Sequence, residues 1–398
     1  MSPSRRALLV ASAAMFTDLL AYGLVIPVLP DLALRTGSSP GALGLLFASY
    51  ALTLVAVTPA VGLWVDRSGP RTPFLVGLIG LAGATLLFSV SQTFTALMCA
   101  RVFQGAAGAV SWTAGLALVA AVHEPRTRGR AMGTALAAAN VGMLLGPPAG
   151  GLLFEHIGPR APFLLAAAMA VVDAAARWAW VSDPPRSTLE PRGRSLWRDR
   201  RVAGLVSLTA LGAALVSFVE PILPLHWETV FGVGPGAVGL TFGAALLAAA
   251  ASYPVMGRLA DRTAPGPVAG FGAFLAAAAF VGLSFSPDIW TSGLCLVLAA
   301  VGTSAILGPI SAAVGDLAES VSPPAYGSAY ALYNTAYAAG LSLGPLLGGL
   351  GYGALGFRRT VLAFSAVACV AGAVTLFLRS RRGAAPAASR ASSGRGRA

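Results

Sequence analysis

Twelve runs of mostly apolar residues, each about 20 residues or longer, follow one another along this chain with short polar breaks between them. An α-helix rises 1.5 Å per residue, so about 20 apolar residues cross the roughly 30 Å hydrocarbon core of a bilayer. The runs lie at 7–29, 41–64, 73–91, 96–122, 130–153, 161–181, 203–225, 236–259, 266–286, 289–314, 326–354 and 359–379. The expected fold is an all-α membrane protein with twelve transmembrane helices in two pseudo-symmetric six-helix bundles.

Composition agrees. Hydrophobic residues make up 56% of the 398 positions and charged residues 11%, against about 25% charged in soluble domains. The formal charge of +12 is carried by arginine alone. A basic balance can signal nucleic acid, but topology accounts for it better. With the amino terminus inside, Arg5, Arg6, Arg67, Arg71, Arg126, Arg128, Arg130, the cluster from Arg186 to Arg201, Arg258, Arg262 and the basic tail are all cytoplasmic. Only Arg35, Arg160, Arg358 and Arg359 fall outside, a positive-inside bias that places both termini in the cytoplasm of a cell-membrane protein. The start imitates a signal peptide, but its apolar run continues to Leu29, so a retained first span is expected. Cys99, Cys295 and Cys369 lie in spans and suggest no disulfide framework. His123, His156 and His226 form no ligand set, so no metal or cofactor is expected.

The stretch 182–201 is the one long polar interruption, and the halves on either side echo each other. "PVLP" at 27–30 answers "PILP" at 221–224, "GLWVDR" at 62–67 answers "GRLADR" at 257–262, and "GPPAGG" at 146–151 answers "GPLLGG" at 344–349. The expected organisation is therefore one bundle over 1–181, a cytoplasmic linker over 182–201, a second bundle over 202–379 and a disordered basic tail over 380–398. Parallel repeats of six spans, with a substrate site between them near the midplane, are the architecture of a rocking transporter.

"GLWVDRSGPR" (62–71), "RVFQGAAGA" (101–109) and "GMLLGPPAGG" (142–151) resemble signatures of the major facilitator superfamily of transporters. The first implies a latch at the cytoplasmic face: Gly62 for close helix packing, Asp66 at a helix amino terminus where the macrodipole favours an anion, Gly69 in the turn, Arg67 and Arg71 bridging the bundles, and Asp261 with Arg262 as the second copy. The second implies an inward-facing Arg101 that tunes a nearby carboxylate, with Gln104, Gly105 and Gly108 in register. The third, which that family associates with exporters, implies helix bending and close approach at Gly146, Pro147 and Gly150; generic small-residue packing is the alternative.

Within that superfamily the chain resembles the vesicular amine transporters, on "LGLLFASYA" (43–51), "GRAMG" (129–133), "LLGPPAGGLLFEHIGPRAPFLL" (144–165), "VEPILPLHWETVFG" (219–232) and "YGSAYAL" (326–332). The resemblance carries over acids at Asp18 in the first span, Asp173 in the sixth and Glu220 in the seventh. It departs at Tyr50, where the family has a lysine, and at Ser304 and Asn334, where it has aspartates.

Asp18 is eleven residues from Ala7, which puts it about 16 Å into the core. An aspartate at that depth costs roughly 2.5 to 3.5 kcal/mol on insertion scales, so such residues usually face a cavity and serve function. Burial favours the neutral form of an acid and a bound cation favours the charged form. One carboxylate can therefore hold a proton or a cationic substrate, and that exchange is the core of proton-coupled antiport. Asp18 and Glu220 are the candidate proton carriers and substrate ligands. Asp173 and Arg177, four apart on one helix, are expected to pair as a stabiliser. Tyr330, Tyr333 and Tyr337 share one helix face and, with Asn334, are candidates to hold an organic cation by contacts worth about 0.5 to 2 kcal/mol per ring; packing is the alternative. Tyr50, Trp112 and Asn140 are further candidates. The expected partners are a small molecule, protons and the bilayer, with the protein a monomer. The competing functions are carriage of a neutral solute such as a sugar or amino acid, and a non-transporting receptor on the same fold. No zincin helix, nucleophile elbow or phosphate loop points to an enzyme.

Overall fold

The computed structural model describes residues 2–181, 200–319 and 326–383. Most of the 182–201 linker and of the 380–398 tail lies outside the described residues. The first six spans are single helices: α1 (Pro3–Arg35), α2 (Pro40–Ser68), α3 (Arg71–Val90), α4 (Phe94–Val122), α5 (Pro125–His156) and α6 (Ala161–Trp180). The second half contains α7 (Arg200–Ser217), α8 (Val219–Phe231), α9 (Pro235–Thr263), α10 (Pro265–Ser284), α11 (Ile289–Glu319), α12 (Tyr326–Leu355) and α13 (Phe357–Gly383). Among the described residues, twelve spans are long and apolar enough to cross a membrane, and the seventh is Val202–Phe231.

The seventh span is present as expected, and its helix carries one break. It is interrupted at Phe218, between α7 and α8. Pro221 has no N–H to return to the Ser217 carbonyl four residues back, so the helical ladder breaks there. The break sits one turn before the proline and sets the angle at which Glu220 projects.

Helices α1 to α6 pack on one another and α7 to α13 do likewise, with α1 on α5, α3 on α4, α10 on α11 and α12 on α7. The two bundles meet mainly through α2 with α12 and α5 with α9, and also through α1 with α8. Buried side chains of both bundles share one core there, among them Val25, Leu29, Phe47, Leu223 and Trp227, and at several points main chain meets main chain. A methyl group placed on Gly349 would fall 2.7 Å from the Cα of Gly44, and one placed on Gly151 would fall 2.8 Å from the Pro235 carbonyl carbon. Gly239 likewise abuts the Pro147 backbone. In the same region, Glu155 of α5 accepts a 2.7 Å bond from the Gly236 N–H. One bundle's carboxylate thus caps the amino terminus of a helix in the other, where the macrodipole favours an anion.

The opposite end, which bears the first residues of α1, is open. Nothing lies near a Cβ built at Gly62, Gly69 or Gly257, and Asp66, Arg67, Arg71, Asp261 and Arg262 are exposed; Asp66 falls in the last turn of α2, not at the amino terminus expected for it, because that helix runs on to Ser68. The close packing expected of Gly62 is therefore not made in this state, because the bundles have parted at that end.

The two loops that end α2 and α9 are built alike. Gly69 ends α2 with φ 78° and ψ 168°, its N–H bonded to Val65 O at 2.8 Å. Ala264 holds the equivalent place after α9 with φ 120° and ψ 154°, its N–H bonded to Ala260 O at 2.9 Å. That backbone region is essentially reserved for glycine and costs other residues about 1–3 kcal/mol. Ala264→Gly is expected to stabilise the protein by about 1 kcal/mol after the loss of unfolded-state restriction is counted. A higher midpoint for thermal loss of monodisperse protein would show it, and an unchanged or lower one would contradict it.

Candidate functional site

Asp18 lies at the middle of α1 and is completely buried. Its Oδ2 accepts from the Tyr50 hydroxyl of α2 at 3.1 Å and from the Trp112 indole N–H of α4 at 2.6 Å. Its Oδ1 is buried without a hydrogen-bond partner. Space for this carboxylate comes from Gly108 of α4: a Cβ there would sit 3.4 Å from both Asp18 oxygens and 3.0 Å from the Tyr50 hydroxyl.

Glu220 lies in the first turn of α8, in the opposite bundle, and is 2% exposed. Its Oε2 accepts from the Tyr22 hydroxyl of α1 at 2.8 Å. Between the two acids stands Arg101 of α4, completely buried. Its guanidinium lies 4.8 Å from the Tyr22 ring centroid and 5.0 Å from that of Tyr50, with Phe47 at 5.7 Å. The two tyrosine rings are 5.0 Å apart. Each ring therefore offers its face to the cation, a favourable contact where desolvated, and its hydroxyl to an acid. One guanidinium nitrogen donates to Gln104 Oε1 at 2.7 Å, while Nε and the other have no hydrogen-bond partner. Arg101 forms no ion pair with either carboxylate in this structure; it reaches them through the aromatic rings.

Several expectations change on this geometry. The acids were expected to face an open cavity, yet both are buried here, Asp18 beneath Tyr50 and Trp112 and Glu220 beside Tyr22. Trp112 and Tyr50, expected to hold substrate, hold Asp18. The Asp173–Arg177 pair is not formed. Asp173 accepts from Thr17 of α1 at 2.6 Å, and Arg177 donates to the Val181 carbonyl at 2.6 Å while lying 5.8 Å from the Phe74 ring centroid. Helix α6 ends at Trp180, and the last carbonyls of a helix need outside donors; Arg177 answers that need instead of reaching back one turn. Asn140 is exposed and donates to Leu136 O of its own helix at 2.9 Å.

On α12, Asn334 is exposed, and Tyr333 and Tyr337 stack with centroids 6.3 Å apart. The side chain of Tyr330 lies outside the described part of the structure. Ser304, at a position where the resembled family has an acid, is buried and pairs with Ser252 of α9. Gly105 packs on the Tyr50 backbone of α2. Gly146 and Gly150 pack α5 on α1: a Cβ at Gly146 would fall 2.6 Å from the Gly23 Cα, and one at Gly150 would fall 2.7 Å from the Leu24 Cα. Tyr22 and Glu155 were not singled out by the sequence reading. Tyr22 had one available signal, since it follows Asp18 by four residues and so shares its helix face.

Two six-span bundles, touching at one end, parted at the other and holding charged groups between them, define a membrane transporter. The chain belongs to the Major Facilitator Superfamily, whose family model matches residues 11–220 and 202–397. The Probable vesicular acetylcholine transporter-B of Danio rerio is 31% identical over 273 residues, 65% of this chain and 55% of that protein. The Synaptic vesicular amine transporter of Mus musculus is 28% identical over 351 residues, 85% of this chain and 66% of that protein. These alignments span about half to two thirds of the relatives' length. They agree with the resemblance read from the motifs. Among solved structures, a bacterial homolog to the human lysosomal transporter Spinster, in an inward-facing and occupied conformation, superposes with a TM-score of 0.84 over 96% of this chain and 98% of that one, at 18% identity. That likeness carries the fold.

Proposed function

We propose that the protein exports a lipophilic, cationic small molecule, an amine or a drug, in exchange for protons, by rocking of the 1–181 and 202–379 bundles about the 182–201 linker. The observation that carries this reading is the charge count of the buried cluster. Asp18 and Glu220 supply two negative charges and Arg101 one positive charge. With both acids ionised, one negative charge is left over, and an uncompensated buried charge costs several kcal/mol. A proton balances it; so does a monovalent cation. The two therefore exclude each other.

The positive-inside bias supports a cytoplasmic arginine-rich end in a cell-membrane protein, and on that reading the state described here is open to the cytoplasm. Substrate loads from there, against the Asn334, Tyr333 and Tyr337 face of α12. When the other end opens, external protons reach the acids and release the substrate. As the arginine-rich end then closes, Asp66, Arg67, Arg71, Asp261 and Arg262 form the latch, with Gly62 and Gly69 allowing the approach. The relatives' names, which specify amines and acetylcholine, agree with a cationic passenger.

A thermal-shift screen of lipophilic amines on purified protein tests the reading. A ligand at a hundredfold excess over its Kd stabilises by about 2.7 kcal/mol. That gain is expected to shrink between pH 8 and pH 5 in the native protein. In an Asp18→Asn, Glu220→Gln double variant any remaining gain is expected to be the same at both pH values. Proton-coupled amine transport by the double variant would refute the scheme.

A further inference from the structure

Among the side-chain hydrogen bonds of the described residues, Tyr22–Glu220 joins the acid cluster of one bundle to the acid of the other. Tyr22 is on α1, Glu220 on α8, and both are buried, at 5% and 2% exposure. The hydroxyl has one acceptor and the ring is fixed by Arg101 on one face and Tyr50 beside it. Besides Tyr22, the ionisable groups that act on Glu220 among the described residues are Arg101 on α4 and Tyr337 on α12.

We infer that Tyr22 is a positioning residue for coupling: its hydroxyl locks the empty, ionised carrier shut at this end, and releases it when Glu220 takes up a proton or faces a cation. The inference rests on the proton-exchange reading above. An antiporter must not reorient empty, since an empty carrier that reorients lets protons run down their gradient without cargo. A hydroxyl donating to a carboxylate makes a charge-assisted bond about twice as strong as one to a neutral acid. The lock is therefore strongest in the state that must not move. Glu220 supplies the charge that is read, and Tyr22 carries the reading into the other bundle. Asp18 has no such role: its donors, Tyr50 and Trp112, belong to its own bundle.

Spin labels at Ile157, just past the end of α5, and Trp290, in the first turn of α11, exposed by 72% and 85% at the closed end of the two bundles, read the separation of the bundles by pulsed dipolar spectroscopy. Cys99, Cys295 and Cys369 are first replaced by alanine. In the otherwise native protein without ligand, the separated population is expected to rise about fivefold between pH 8 and pH 5, the ratio expected for loss of one charge-assisted contribution. Tyr22→Phe, which keeps the ring over Arg101, is expected to show the raised population already at pH 8, with no further pH response. Glu220→Gln is expected to do the same. Thr17→Val removes another buried hydroxyl from α1, one that bonds Asp173 within the same bundle, and is expected to behave as the native protein does.

In proteoliposomes carrying a pH-sensitive dye and no substrate, Tyr22→Phe is also expected to dissipate an imposed pH gradient severalfold faster than the native protein. If Glu220→Gln opens the bundles and Tyr22→Phe keeps the native pH response, the lock is overturned and the proton-exchange reading stands. If Glu220→Gln also keeps the native response, the exchange reading falls and the lock falls with it.

Discussion

Gly146→Val is expected to abolish recovery of folded protein, to below about a tenth of the native yield in size-exclusion chromatography of detergent extracts. Helices α1 and α5 touch through their backbones here. A Cβ at Gly146 alone would fall 2.6 Å from the Gly23 Cα and 2.9 Å from the Leu20 carbonyl oxygen. Valine adds two more carbons where no flexible side chain stands ready to yield. Overpacking ordinarily costs about 1–3 kcal/mol, and a backbone neighbour puts this site at or above the top of that range. Gly62→Val supplies the matched control. It is also a mid-helix glycine, but open space surrounds it, so its yield is expected to stay within about twofold of native. Equal loss in both variants would mean that the cost comes from glycine replacement in a helix and not from the α1–α5 contact.

Arg101→Met is the second large effect. Methionine keeps an unbranched apolar stem but removes the single positive charge among two buried acids. Breaking a buried charge balance by removing one partner costs about 3–5 kcal/mol, so the variant is expected to lose that much stability at pH 8. The sign of its pH dependence follows from proton counting. Without Arg101 the cluster is neutral only when both acids hold protons, so the folded variant binds more protons than the folded native protein. Stability falls with rising pH wherever the folded state holds more protons than the unfolded one. The variant is therefore expected to regain stability between pH 8 and pH 5, by up to about 1.4 kcal/mol per pH unit for each extra proton. Thermal melts at the two pH values measure it. A variant as stable as the native protein at pH 8 would mean that the guanidinium charge does not hold the cluster together.

The spans were legible because each is a long apolar run, a property of neighbours in sequence. The interruption at Phe218 was equally local: Pro221 already dictated a missing bond to Ser217 within the single span expected there. Asp18 and Glu220 stood out as acids within apolar runs, and Gly146 and Gly150 as part of a recognisable motif. What sequence reasoning missed is non-local. Tyr22 acquires its meaning from a residue 198 positions away, and Glu155 from the amino terminus of a helix in the other bundle. No periodicity encodes either contact. The Asp173–Arg177 error has a different origin. Spacing of four makes a pair available on an isolated helix, but the end of α6 and the arrival of Thr17 from α1 offered each residue a better partner.

The bundles meet at their touching end partly through glycine and proline, with peptide against peptide at Gly44, Gly349, Gly151 and Gly239. Where peptide packs on peptide, as at these four glycines, natural selection has little to vary. On the proposed exchange, changes of cargo fall in the parted half, where Asn334 is exposed, and the pivot and the recognition surface evolve separately.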